Sequence, residues 1–533
     1  MENRDHRPLR GLIHGPPPDV RRMPSDARRT PAIVLAAINA KWIHPSLALR
    51  LLKANLGGLE ESCEIMEFAL RQPLAEKTGP IIAARPRVLG LSVSIWNHRA
   101  TVELLRALGG MTPRPAVVLG GPEVSHLAED AEIFRHADFV IRGEGEKAFR
   151  ELCADLLEGG PRKVPPGKFI QAPPVDLAAV DPGYRLYRDE DLGRKLIYVE
   201  ASRGCPFGCE YCLSSLDRTV REFPLEKFLA DMEYLVRRGG RTFKFLDRSF
   251  NLDTERARRV MEFFLEKAEA CRHPYPGGRT PPDGRPFCVH FEMIPGRFPA
   301  ELRRLLKRFP PESLRLEIGI QTFNPAAAAL VGRASRPEKE LAALAFLRRE
   351  TNAIIHADLI AGLPGEDMAS FGGGFDRLWQ TLSAGAPPAV TPPAEGPPVR
   401  GPRLPAKPRT EIQLGILKRL PGAPIARHDG PWGMRYDPDP PYEVRETATL
   451  SAGELGRIKN FARFWELVVN RGAFPDLAPA LFPSGEPVWD RFMALSDRLL
   501  AQFGRNWGID RRELRAALAA EAAAPSRPLF TQP

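Results

Sequence analysis

From about residue 32 to residue 425, short β-rich apolar runs alternate with stretches of helical periodicity, and no other feature restricts the fold as tightly. The first runs are Ala32–Ile38, Cys63–Ala69, Arg87–Val93, Ala116–Leu119 and Asp138–Ile141. Segments between them, such as Ser46–Leu56 and Ala100–Leu108, carry apolar residues at helical spacing. Parallel neighbours need crossover connections, so five such strands predict an α/β domain with an open, doubly wound parallel sheet over 32–160. Ligands of such sheets sit beyond the carboxyl ends of the strands. Those ends are Asn39–Pro45, Ser94–Asn97, Gly120–Glu123 and Gly143–Glu146.

A loop-like linker, 161–192, leads to a second series over 193–425. Its strand candidates are Lys195–Ser202, Thr242–Asp247, Phe287–Met293, Leu314–Ile320, Ala353–Ile360 and Glu411–Ile416. Six βα units suit a partial, open barrel better than a closed eight-unit one. Before the last strand, nine of the 27 residues in Ala384–Thr410 are proline. That density forbids a helix or a central strand and predicts an extended, exposed insertion. Helical patterns at Ser451–Asn470, Glu486–Phe503 and Asp510–Ala523 predict a mainly helical C-terminal domain over 426–533. Residues 1–31, with six prolines and mixed charges, are expected to be a disordered tail.

Composition excludes several classes. No apolar run approaches the 18 or so residues of a membrane span, and the arginine-rich N-terminus lacks the apolar stretch of a secretory signal. Seven cysteines, an odd count with three inside eight residues, do not form a disulfide framework and point to a reducing, cytoplasmic setting. The net charge of +10 is spread over helical faces with acidic residues interleaved, so nucleic acid is not the expected partner.

The three clustered thiols are Cys205, Cys209 and Cys212, in Cys-Pro-Phe-Gly-Cys-Glu-Tyr-Cys directly after a strand. A compact loop of this spacing can wrap one face of an iron–sulfur cluster, since soft thiolates suit iron. Three thiolates leave one of four irons open, as catalytic metal sites require. A structural zinc would need a fourth protein ligand, and Cys63, Cys153, Cys271 and Cys288 each stand alone.

This loop, placed after the first strand of a six-unit barrel, resembles the signature of radical S-adenosylmethionine (SAM) enzymes. The preceding five-stranded domain resembles the cobalamin-binding domain of one large subgroup. Asn39–Arg50, Glu411–Ile425 and the C-terminal helices are similar to an uncharacterised branch of it. The resemblance implies a [4Fe-4S] cluster on Cys205, Cys209 and Cys212, with Tyr211 in the aromatic place before the last cysteine. It implies SAM contacts at Asp247, Glu317, Gly319, Gln321, Asp358 and Gly362, all at or near barrel strand ends. Asp247 stands where the family often has Gly-Gly-Glu, which this chain lacks. For cobalamin it implies Ser92, Ser94, Trp96, Gly120, Gly121, Glu123, Gly143, Glu144 and Gly145. The Asp-x-His-x-x-Gly segment that supplies a lower cobalt ligand in many such domains is missing. His44, in His-Pro-Ser, reads instead as the lead-in to a helix.

The resemblance further implies that one electron from a flavodoxin or ferredoxin cleaves SAM to a 5′-deoxyadenosyl radical. Methylcobalamin would then deliver a methyl group to an unactivated carbon of a small-molecule or peptide substrate. The alternatives are cobalamin-assisted cyclisation or rearrangement, RNA modification, and a non-catalytic cobalamin sensor. Trp432, Tyr436, Phe461 and Trp465 could close over a substrate or form core.

Overall fold

A computed structural model describes residues 30–158, 167–271, 287–384, 409–482 and 486–523. The expected tail, up to residue 29, and the proline-rich insertion from 385 to 408 lie outside these residues.

Strands β1 (Ile33–Asn39), β2 (Cys63–Ala69), β3 (Val88–Ser92), β4 (Ala116–Gly120), β5 (Phe139–Gly143) and β6 (Phe169–Ala172) form one parallel sheet. Its order is β2-β1-β3-β4-β5-β6, so the chain reverses its direction of travel across the sheet between β1 and β3. Ile33 to Ile38 are at most 3% exposed, which explains the unbroken apolar run: helices cover both faces of this strand. β6 corrects the expectation of five strands and a loop-like linker. Its four residues are too few to show a period, and the pairing of Ile141 with Ile170 orders them as an edge.

The second sheet holds β7 (Ile197–Val199), β8 (Thr242–Phe245), β9 (Cys288–Met293), β10 (Leu314–Gln321), β11 (Ile354–Ala361) and β12 (Thr410–Ile416). All are parallel, in the order β12-β11-β10-β9-β8-β7, with β7 and β12 left as unpaired edges. This is the expected partial barrel. In β10, Leu314, Leu316, Ile318 and Ile320 are buried against helices, whereas Arg315, Glu317, Gly319 and Gln321 share the other face. Residues of period two from neighbouring strands therefore line a polar lumen.

Beyond β12, residues 417–450 cross the barrel mouth and include a short hairpin, Arg435–Tyr436 with Val444–Glu446. Helices Ala452–Trp465, Trp489–Phe503 and Arg511–Ala523 follow. Phe461 and Trp465 are fully buried and pack with Phe375, Trp489 and Phe492, ring centroids 4.5–5.8 Å apart. These two aromatics are core that docks the C-terminal helices onto helix Met368–Ser383.

Candidate active site

The cysteine loop is held at its base before it reaches the thiols. Asp247, at the end of β8, is buried and accepts hydrogen bonds from the Ala201 N–H (2.9 Å) and the Ser202 hydroxyl (2.6 Å). Burial lifts its carboxyl to about 6 despite these two donors. An acid whose folded value exceeds its unfolded one stabilises the fold at low pH, and that contribution disappears as pH rises from about 4 to 6. That contribution is on the order of 3 kcal/mol. Denaturant unfolding at several pH values is expected to show wild type losing stability over that interval relative to Asp247→Asn, which keeps an acceptor for Ala201.

Next, Ser202–Gly204 pairs with Val220–Glu222, and the loop from Cys205 to Cys212 emerges from this hairpin. All three thiols are free and half-buried, and they line one cavity of about 170 Å³. Tyr211, Gly319 and Gln321 line it too, as do Arg248, Glu292 and Arg333. The Arg333 guanidinium lies 4.0 Å from the Cys209 sulfur and 3.5 Å from the Tyr211 hydroxyl. It also donates to the carbonyls of Ile320 (2.9 Å) and Gly319, tying the end of β10 to the cysteine loop. Arg248 reaches Glu292 at 3.4 Å.

This donor set fits an iron–sulfur cluster. Three thiols face one chamber, and two guanidinium groups are placed to offset the charge of thiolates. Among the described residues, no three His, Cys, Asp or Glu side chains converge tightly enough to hold a single metal ion. A polynuclear unit that spans the chamber suits the arrangement better than one zinc.

The other expected SAM residues are distributed more widely. Glu317 and Asp358 lie deeper on the lumen face, in a network with Lys244, His290, Arg315 and His356. Lys244 Nζ and His290 Nε2 lie 3.2 and 3.3 Å from the Glu317 carboxylate, and together they hold its pKa down at about 2. Burial, with Glu317 and Glu292 nearby, raises Asp358 to about 7. Burial also lowers His356 to about 3, so it is neutral. Lys244 and Glu317 sit on central strands yet remain 30% and 32% exposed, which makes the lumen an open chamber. Gly362 is apart from it: with φ +87°, it would place a Cβ 2.4 Å from Val444 of the crossing segment. Asp247 is likewise consumed in anchoring the loop.

A second cavity, of about 300 Å³, lies where the sheet order reverses, between the first sheet and the barrel. Ser92, Gly120, Gly121, Gly143, Glu144 and Gly145 line it, with Leu47, Leu91 and Phe149 from the first domain. Glu200, Arg203 and Leu246 close it from the barrel side. Gly121 and Gly143 have φ +109° and +94°, and a Cβ on either would fall within 2.5 Å of a backbone oxygen. A Cβ on Gly120 would meet only the Ile141 carbonyl, at 3.7 Å, so the space beside it is kept open without any packing need. A flat glycine floor with apolar walls fits a corrinoid. Glu144 is held ionised largely by Arg221 and by the Val175 N–H, with Arg203 adding to the effect.

Three of the expected cobalamin residues do not line this cavity. Ser94 is buried and its N–H donates to Asn97 (2.8 Å). Trp96 is 53% exposed. Glu123 is buried, accepting from the Tyr442 hydroxyl at 2.7 Å with His98 Nδ1 at 2.9 Å. His44 bonds the Tyr198 hydroxyl (2.8 Å) beside the first barrel strand and is not among the lining residues. Arg248, Glu292 and Arg333 went unnoticed in the sequence. Arg248 and Glu292 could have been found as strand-end residues of β8 and β9, but Arg333 belongs to no motif.

Residues 33–153 match the family model of the B12 binding domain, and residues 199–375 match that of the radical SAM superfamily. The fold and the two cavities thus define a protein that joins these two domains in tandem. The chain is a cobalamin-binding-domain-containing radical SAM protein. It is 28% identical over 204 residues to the cobalamin-dependent radical SAM methyltransferase TokK of Streptomyces tokunonensis, a match covering 34% of this chain and 30% of that relative. The matched stretch therefore spans under a third of that relative's length. Its fold is similar to that of the radical SAM methyltransferase TsrM from Kitasatospora setae, solved with cobalamin and a [4Fe-4S] cluster. The TM-score is 0.55 at 16% identity, covering 91% of this chain and all of that one. The radical enzyme OxsB, solved with aqua-cobalamin and SAM, gives 0.55 at 13% identity over 92% of this chain and 78% of its own.

Proposed function

We propose that this chain is a cobalamin-dependent radical SAM methyltransferase, acting on an unactivated carbon of a polar small molecule. One observation carries the reading: a single short segment borders both cavities. Glu200 and Arg203 close the glycine-floored cavity, while Cys205, Cys209 and Cys212 line the other. Groups bound in the two would sit side by side at the barrel mouth, and proximity is what a short-lived radical demands.

When bound, the cluster would supply the electron that cleaves SAM to the 5′-deoxyadenosyl radical, and cobalamin would supply the methyl group. The chain's own residues hold and orient. Cys205, Cys209 and Cys212 would hold the cluster, and Arg333 is placed to offset their charge while tying Tyr211 to the end of β10. Gly319 and Gln321 border the thiol chamber where SAM would lie. Glu317, kept ionised by His290 and Lys244, and Asp358, poised near neutrality, offer acceptors for hydroxyl or ammonium groups deeper in the lumen. A lumen ringed by ionisable side chains favours a polar substrate over a hydrocarbon one.

A cluster with a bare iron also needs a low-potential one-electron donor, of the flavodoxin or ferredoxin class, and the reducing conditions of a cytoplasm. Among the described residues no helix is long and apolar enough to cross a membrane.

The test is anaerobic reconstitution with iron, sulfide and hydroxocobalamin, followed by reduction with methyl-deuterated SAM. Equal release of 5′-deoxyadenosine and S-adenosylhomocysteine, with label in an acceptor, is the expected outcome. 5′-Deoxyadenosine without S-adenosylhomocysteine would transfer the reading to radical rearrangement. Neither product would defeat it.

A further inference from the structure

Residues 417–450 touch three parts of the molecule that the two cavities depend on. At one end, the Ile425 N–H donates to the Glu210 carbonyl (2.9 Å), inside the cysteine loop. The Glu210 carboxylate accepts from His428 Nε2 at 2.9 Å and pairs with Arg427, while its own N–H donates to the Val331 carbonyl (3.0 Å). Glu210 and His428 are only 8% and 6% exposed, so this carboxylate depends on protein partners rather than water. At the other end, Tyr442 donates to the buried Glu123, two residues beyond the Gly121 floor. Asp439 pairs with Arg99 of the first domain at 2.9 Å, and at the first end Gly422, three residues before Ile425, lies directly against the His126 ring. Between these ends Trp432, and just past Tyr442 Val444, pack on Gly365 and Gly362 at the end of β11, and Thr449 donates to the Glu366 carbonyl (2.7 Å).

We propose that this segment is a brace that sets the cluster loop against the cobalamin floor, with Glu210 and His428 as positioning residues at one end and Glu123 and Tyr442 at the other. The inference rests on the reading above for the identity of the two bound groups, though not for the contacts themselves. A domain that only closed the fold would have no need to reach into the interval between Cys209 and Cys212. The brace does so with a backbone hydrogen bond and a buried His428–Glu210 hydrogen bond, both of which constrain the loop where it would curve around a metal centre. Its far end grips the fourth strand-end loop at a buried carboxylate that His98, from the first domain itself, also holds. Fixing both ends to one stiff, barrel-anchored hairpin limits the relative motion of the two cavities.

The test uses the full chain, reconstituted anaerobically, with His428→Ala, His428→Gln and Tyr442→Phe. Loss of a positioning partner outside the ligands typically weakens a metal site by about 10- to 100-fold. Chelator-driven loss of cluster absorbance should therefore be about tenfold faster in His428→Ala, and His428→Gln, which keeps a donor for Glu210, should restore most of the difference. Cobalamin release should be unchanged in His428→Ala but faster in Tyr442→Phe, whose cluster loss should match wild type. In either variant, pulsed electron paramagnetic resonance between Co(II) and the reduced cluster should give a broader distance distribution than wild type. Equal cluster-loss rates and equal distance widths in all variants would overturn the brace. If wild type took up no cluster, the functional reading would fail instead. Hydrogen exchange in cofactor-free protein then decides the brace: amides of 205–212 should exchange about fivefold faster in His428→Ala, as loss of one buried hydrogen bond implies, and no change would refute it.

Discussion

Cys209→Ala is expected to abolish SAM cleavage, because Cys209 stands in the middle of the three-thiol set and also faces Arg333. The effect should exceed the roughly 100-fold that loss of an outer partner causes, since a ligand itself is removed. The fold should survive. Cys209 is half-buried, and the loop base remains held by Asp247, Ser202 and the hairpin to Val220–Glu222. Iron content and 5′-deoxyadenosine formation, measured beside thermal unfolding, check this. A Cys209→Ala variant that made 5′-deoxyadenosine at more than about a tenth of the wild-type rate would remove this residue from the ligand set. Cobalamin uptake should be unaffected, because the glycine-floored cavity draws on Glu200 and Arg203 but on none of the cysteines.

Gly120→Leu should do the reverse. The new Cβ has only the Ile141 carbonyl near it, at 3.7 Å, so β4 can carry a side chain without moving its neighbours. The leucine would instead occupy the cavity. Forcing extra methylenes into a filled site costs about 1–3 kcal/mol, or roughly 10- to 100-fold in affinity. Hydroxocobalamin titration should show that loss, with the melting temperature and iron content near those of wild type. Unchanged affinity would place the corrinoid elsewhere on the sheet edge. Gly121 and Gly143 are poorer probes, since a side chain there collides with the backbone oxygens of Val93 and Ala172 and would perturb the fold first.

Much of the architecture could be read in advance because it depends on local periodicity. The unbroken run Ile33–Ile38 announces a strand covered on both faces, and the alternation in Leu314–Gln321 announces one whose second face meets something polar. The thiol spacing was equally plain, since all three ligands fall within one loop. What escaped were features built from distant residues or from very short ones. β6 is four residues long and gains its order only by pairing with β5. Asp247 and Gly362 stand at promising strand ends, yet their neighbours in space, Ala201 and Val444, commit them to packing. Glu123 follows a glycine floor but is held by Tyr442, 319 residues further along the chain.

Two parallel sheets, their order along the chain and a three-thiol loop after the first strand of the second series were determined by the sequence alone, because period, punctuation and spacing are properties of neighbouring residues. The tertiary structure alone decided which groups share a chamber. Arg333 comes to rest beside Cys209, Arg203 reaches Glu144 and Glu146 of the first domain, and residues 417–450 touch both the cysteine loop, at Glu210, and Glu123 beyond the glycine floor. Such contacts depend on how the sheets and loops pack in three dimensions, and no local pattern encodes a distance between residues many tens of positions apart.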